Sequence, residues 1–206
     1  MYKKPVIVFE GIECSGKSLH INFVSNFLRK KKIDFIKIRE PGGSKNAEKI
    51  RKLILSNKSN FNRNTDLLLY LSARSENIQY LNKYYNKKVI LIDRFLDSTI
   101  AYQHYGMNVE ISLINKINKS LLKNFKVNFT FLNIVNQINM KKRLRQRKKL
   151  NRYDKFSNKF YSKVQNGFLK IANRKKKSYK VINSNLKIEM NKKIILEKIK
   201  QLIKLK

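Results

Sequence analysis

The chain has 206 residues, a formal net charge of +35 and a hydrophobic fraction of 42%. That length and apolar content exclude a compositionally disordered chain and predict a single domain, 1–206, with its own buried core. The one cysteine, Cys14, excludes an intramolecular disulfide and fits a reducing compartment. No apolar run is long enough for a signal peptide or a bilayer span, so the expectation is a soluble cytoplasmic protein without a membrane partner.

In chain order, Val6–Phe9 is a continuous apolar run, the pattern of a strand buried on both faces. Leu19–Leu28 has helical spacing. Phe35–Ile38 predicts a second strand, ended by the turn signal Arg39-Glu40-Pro41-Gly42-Gly43. Ala47–Leu55 and Asp66–Tyr85 predict helices, and Val89–Ile92 another buried strand. Helices over Ser98–Tyr105 and Ile111–Leu122 follow, then a strand over Val127–Leu132. Ile138–Lys148 and Phe156–Asn173 predict basic helices with a polar link between them. Tyr179–Ile182 is a short fifth strand, and Met190–Leu205 an amphipathic closing helix.

Such alternation implies an α/β fold with a parallel sheet covered on both faces. Composition shifts in one place: residues 141–154 are dense in charge and poor in apolar anchors, which suggests a mobile lid. The basic charge is spread along the chain, and Lys, Asn and Ile are over-used throughout. That favours a compositional bias over a dedicated nucleic-acid surface. A nucleic-acid-binding P-loop protein remains the alternative from another class.

Gly11-Ile12-Glu13-Cys14-Ser15-Gly16-Lys17-Ser18 matches the P-loop pattern in full, between a buried strand and a helix. Backbone N–H groups in such a loop form an anion nest, and the helix N-terminus adds its dipole. Lys17 is suited to the β- and γ-phosphates of ATP, and the Ser18 hydroxyl to Mg²⁺. The motif alone specifies a nucleoside triphosphate and no reaction. Asp93-Arg94 ends the third strand, where ligands collect in α/β sheets. The carboxylate could order Mg²⁺ or its waters, and the guanidinium offers a fork for a second anion.

The chain resembles the thymidylate kinase family, bacterial type, over nearly its whole length. The likeness rests on Phe9-Glu10-Gly11-Ile12-Glu13 with the P-loop, Arg39-Glu40-Pro41-Gly42-Gly43, Tyr70 with Ala73-Arg74, and Asp93-Arg94-Phe95-Leu96-Asp97-Ser98-Thr99-Ile100-Ala101-Tyr102-Gln103. Asn151-Arg152-Tyr153-Asp154 and Asn166-Gly167-Phe168 complete it. It implies a P-loop nucleoside monophosphate kinase fold, with a five-stranded parallel sheet and a basic lid. The implied activity is a phosphotransferase carrying the ATP γ-phosphoryl group to dTMP, in a homodimer. Another deoxynucleotide or deoxynucleoside kinase is the alternative among enzymes.

The resemblance also implies roles. Glu13 and Asp93 form an acidic pair around magnesium and the transferred group. Arg39, Arg74 and Arg94 converge on the dTMP phosphate, with Arg51 beside them. Tyr70 stacks on thymine, and Ser98, Thr99, Tyr102 and Gln103 line base and sugar. Pro41 follows a cis peptide, and its loop shapes the pocket. Arg143 packs on adenine, while Arg147 and Arg152 supply catalytic charge from the lid. The sequence departs from the family pattern at Leu19, usually Thr, at Asn133, often Asp, and at Asn151 and Asp154 in the lid. At Cys14 one subgroup carries a catalytic Arg.

Overall fold

The computed structural model describes residues 4–205. Its centre is a five-stranded parallel sheet of β1 (Val6–Glu10), β2 (Phe35–Arg39), β3 (Val89–Asp93), β4 (Phe129–Ile134) and β5 (Tyr179–Asn183). The strand order is β2-β3-β1-β4-β5, so β1 is central, with Ile7 opposite both Leu91 and Phe129. The order places the loops after β1 and β3 side by side at the carboxyl edge. Central strands β1 and β3 are buried almost throughout, whereas the edge strands β2 and β5 alternate with solvent. This is why the central runs read as continuous apolar stretches.

Helices are α1 (Lys17–Lys30), α2 (Lys45–Leu55), α3 (Arg63–Asn82), α4 (Leu96–Thr99), α5 (Ile111–Leu122), α6 (Gln137–Arg145), α7 (Asn158–Arg174) and α8 (Ile188–Leu202). Ile7 and Phe9 face one side, packing with Val24 and Leu28 of α1 and with Ile195 and Ile199 of α8. Val6 and Val8 face the other, with Ile78 and Leu81 of α3 and with Phe95. The two-residue period of the strand thus feeds two cores from one segment. No helix among the described residues is long and apolar enough to cross a membrane.

Strand β4 runs two residues later than the expected Val127–Leu132, and α8 ends at Leu202 rather than Leu205. Three further elements differ from the sequence expectation. Helix α3 begins at Arg63 because the Asn62 side chain accepts from Asn64 N and Thr65 N at 3.0 Å, a cap that hydrophobic spacing does not reveal. It ends at Asn82, short of Tyr85. The expected helix over Ser98–Tyr105 is α4 followed by a π-helical segment over Ile100–Gly106, where Met107 N bonds Tyr102 O at 3.0 Å. Single π turns inside helices recur at functional sites, and this one buries the consecutive residues Ala101, Tyr102 and Gln103. Helix α7 packs against it so closely that a Cβ at Gly167 would lie 2.5 Å from the Tyr105 ring. Finally, the lid helix stops at Arg145, and a short 3-10 turn, Arg152–Lys155, closes the segment. The segment expected to be a mobile lid is tethered: Asn151 and Asp154 form a reciprocal capping box, and Asp154 also takes Arg147 at 2.5 Å.

Candidate active site

The loop from Gly11 to Gly16 joins β1 to α1 and follows the predicted P-loop. Gly11 has φ +140°, and a Cβ there would sit 2.2 Å from Asn133 O, so backbone of β4 occupies the space any side chain would need. Gly16 caps α1 in the left-handed region with no side-chain cap, leaving the first N–H groups of the helix to a ligand. Lys17 Nζ donates to Gly11 O at 2.9 Å, Ile12 O at 2.7 Å and Ser15 Oγ at 3.4 Å. Burial and the neighbouring Arg94 charge bring the Lys17 ammonium down to about 8. The Ser18 hydroxyl lies 3.4 Å from Asp93 Oδ2, so β1 and β3 bring two hard oxygen donors together at the mouth of the loop.

A cavity of about 210 Å³ opens beside this loop. Its wall includes Glu13, Arg39, Pro41, Arg51, Tyr70, Arg74, Arg94, Ser98, Thr99, Tyr102, Gln103 and Arg147. The geometry therefore gathers the residues quoted for a second anion and a base. Arg94, with φ +65°, bends back so that Nη1 donates to Gly11 O and Nη2 to Glu13 Oε1, each at 2.8 Å. Tyr102 OH also donates to Glu13. Burial opposes the Glu13 charge, but Arg94, Lys17 and Tyr102 outweigh it and hold the carboxyl below its usual range. Arg51 Nη1 donates to Pro41 O at 2.6 Å, and Arg39 pairs with Glu48 at 3.0 Å on the open rim. The Glu40–Pro41 bond is cis, as the resemblance implies.

Arg74 is held differently from the other arginines. It is 1% exposed, and its fork is committed to Glu40 at 2.9 Å, Asn118 at 2.7 Å and Thr99 at 2.9 Å. Its guanidinium sits 5.1 Å over the Phe95 ring. It lines the floor of the cavity as a fixed strut between α3, α5 and the loop after β2.

A second cavity, about 370 Å³, lies on the other side of the loop. Cys14, Ser15, Gly16, Leu19, His20, Arg143, Ser184, Leu186, Ile188 and Asn191 line it. Arg143 bridges the P-loop to the segment after β5, donating to Cys14 O at 2.9 Å and Ser184 O at 2.7 Å. Asn133 Oδ1 accepts from His20 Nδ1 at 2.6 Å, and the Asn133 NH₂ group donates to Glu10 O at 3.3 Å. Lys17, Ser18 and Arg147 line both cavities. Arg152 lines neither. Its Nε donates to Ile54 O and its Nη2 to Asp66.

Sequence reasoning missed several participants. Ser184, Leu186 and Ile188 follow β5, and the rule that ligands collect at carboxyl ends of parallel strands points to them. Glu10 is fully buried and accepts from Phe95 N at 2.8 Å, Ser98 N at 3.2 Å and the Ser98 hydroxyl, clamping the turn after β3 to β1. Burial, and then Asp97 nearby, push it up to about 7. Asn118 and Asp66 gave no local signal, and Glu40, although within the quoted Arg39–Gly43 motif, was given no role, because each acts through a partner distant in sequence.

Comparison with known proteins agrees with this arrangement. The family model described as Thymidylate kinase matches residues 9–195. A thymidylate kinase of Sulfurihydrogenibium sp. (strain YO3AOP1) is 38% identical over 199 residues, covering 95% of this chain and 96% of the relative. One from Mycoplasma capricolum subsp. capricolum is 35% identical over 204 residues, covering 95% and 96%. The crystal structure of thymidylate kinase from Ehrlichia chaffeensis superposes with a TM-score of 0.77 at 26% identity, covering 96% of this chain and 99% of that one. The sheet and its flanking helices are those of a P-loop nucleoside monophosphate kinase. By sequence and by fold, the chain belongs to the thymidylate kinase family.

Proposed function

We propose that this protein transfers the γ-phosphoryl group of ATP to the phosphate of dTMP, giving dTDP and ADP. The observation that carries the reading is the meeting of two cavities at Lys17, Ser18 and Arg147. A donor in the P-loop cavity and an acceptor in the arginine-lined cavity would present their phosphates to each other across those side chains. The acceptor oxygen is already anionic, so positioning and charge neutralisation carry the rate without a strong base.

Each residue then has a task. Backbone N–H groups of Gly11–Ser18 cradle the donor phosphates, and Lys17 exchanges its carbonyl partners for phosphate oxygens. Arg143 and the apolar Leu186 and Ile188 suit a flat base. Arg39, Arg51 and Arg94 take the acceptor phosphate, with Glu13 and Tyr102 holding the Arg94 fork. Arg74 positions the floor on which Thr99 sits. Tyr70 and Gln103 face the acceptor base, with Ser98 beside them. Arg147 is the lid arginine placed to stabilise charge on the transferred group, which Cys14 cannot do. Mg²⁺, when bound, would neutralise charge on the donor phosphates. Ser18 and Asp93 supply oxygen donors of the kind it takes, while Glu13 is engaged by Arg94 and Tyr102.

The reading includes one kinase domain over 1–206 with its lid at 141–154, a cytoplasmic location and a homodimer. Leu53, Leu68 and Leu113, on the neighbouring helices α2, α3 and α5, stay exposed and suit a contact with a second copy. Nucleic acid has no part in it. The test is ADP formation with purified protein, ATP and Mg²⁺ over a panel of monophosphates. Turnover should need dTMP and no DNA or RNA, with dUMP the nearest competitor because one methyl is worth only about 1–3 kcal/mol. A preference for a purine monophosphate would remove the thymidylate assignment and leave a kinase.

A further inference from the structure

We propose that Asp66 is a positioning residue that fixes the hydrogen-bonding sense of Gln103 toward the acceptor base, and that it ties base recognition to the lid. The inference rests on the reading of the arginine-lined cavity as the dTMP site. It starts from an unpaired atom. Among the described residues, Gln103 Oε1 stands alone as a buried side-chain nitrogen or oxygen without a hydrogen-bond partner. Gln103 is 1% exposed and lines the cavity. A buried acceptor left unpaired is costly, so the site is complete once a ligand supplies an N–H.

The other half of the amide explains why the oxygen is the free atom. Gln103 Nε2 faces Asp66 Oδ2 at 3.3 Å and Tyr153 OH at 3.4 Å. A carboxylate has acceptors and no donor, so the amide must turn its NH₂ group toward Asp66. Its carbonyl oxygen is thereby left unpaired, in a residue that forms part of the cavity wall. Thymine and uracil carry an N–H at N3, whereas cytosine carries an acceptor there. Asp66 therefore selects a base it does not touch.

Asp66 is itself held by the lid. It is 1% exposed, in the first turn of α3. Arg152 Nη2 donates to Oδ1, and Tyr153 OH to Oδ2. Both donors belong to the 3-10 turn that ends the lid segment. A carboxylate with its lid donors in place has one orientation toward Gln103. Without them it can rotate, and the sense of the amide is no longer dictated.

The test is the ratio of kcat/KM for dTMP to that for dCMP in the full-length protein, Asp66→Asn and Tyr153→Phe. Asparagine is isosteric but can donate to Gln103 Oε1, which frees the amide to turn over. The ratio should fall by about tenfold or more in Asp66→Asn, through a raised dTMP KM with kcat less affected. It should fall in the same direction, by less, in Tyr153→Phe, which keeps the ring and removes the hydroxyl. Circular dichroism establishes that each variant is folded; should Asp66→Asn not fold, Tyr153→Phe decides alone. Parallel loss for both acceptors with an unchanged ratio would make Asp66 an ordinary structural carboxylate and overturn the inference. If the parent protein itself showed no preference for dTMP, the substrate reading would fall, and this inference with it.

Discussion

Arg94 and Glu13 are joined at 2.8 Å across the turn between the P-loop and the end of β3, with the Arg94 guanidinium 5.2 Å over the Tyr102 ring. This contact aims a planar fork into the cavity from a backbone position, φ +65°, that few side chains adopt without support. A lysine would keep the charge and lose the fork, since an ammonium cannot hold Gly11 O, Glu13 and a phosphate in one plane. Arg94→Lys should therefore lower kcat/KM for dTMP by about 10²-fold, mainly through KM. Steady-state kinetics with dTMP varied at saturating ATP checks this. An unchanged KM would mean that the fork does not bind the acceptor.

Lys17 should be indispensable for a different reason. Its ammonium is a point charge held by carbonyl oxygens of the loop that cradles the phosphates whose charge it must neutralise. Lys17→Met should abolish detectable transfer while the circular dichroism spectrum stays that of the parent. Turnover close to the parent's would remove Lys17 from the phosphate site.

The lid arginines should separate. Arg147 lines both cavities, whereas Arg152 is spent on Asp66 and Ile54 O. Arg147→Ala should lower kcat and kcat/KM together by about 10³-fold or more, with the dTMP KM little changed, as for an arginine that acts on the transition state. Arg152→Ala should instead raise the dTMP KM and lower the thermal midpoint, because it leaves Asp66 short of a donor. Equal kinetic effects from the two would contradict this division.

Glu10 should give stability a pH dependence. Its folded value is about 7 against an ordinary 4.5, so the folded state holds this proton more tightly than the unfolded chain. The associated stability is complete below about pH 4.5 and is lost as pH rises through about 7, a change on the order of 3 kcal/mol. Glu10→Gln keeps an acceptor for Phe95 N and Ser98 N, and its NH₂ can donate to the Ser98 hydroxyl. Thermal midpoints between pH 5 and 8 should fall less steeply in Glu10→Gln than in the parent. Identical slopes would show that Glu10 is not the group responsible.

What could be read from the sequence followed from how local each signal is. Buried strands show as apolar runs because both faces need apolar side chains, so β1 and β3 were legible almost to the residue. The P-loop was legible because its glycines answer to one backbone path. The π-helical turn was not, since Ile100–Gly106 has ordinary helical composition and nothing local marks the wider turn that packs against α7. The differing fates of Arg147 and Arg152 were equally hidden. Both lie in one basic run, and only the arrival of Asp66 from α3 distinguishes them. Glu10 belongs to a quoted motif, but its role as a buried clamp depends on Ser98 across the sheet.

The central claim is transfer between two phosphates that meet at Lys17, Ser18 and Arg147. The most direct measurement supplies ATP labelled at the γ-phosphate together with dTMP and Mg²⁺, and follows where the label goes. The account predicts that it appears in dTDP, with little release as inorganic phosphate and no requirement for nucleic acid. Label released mainly as inorganic phosphate, at a rate indifferent to dTMP, would contradict it.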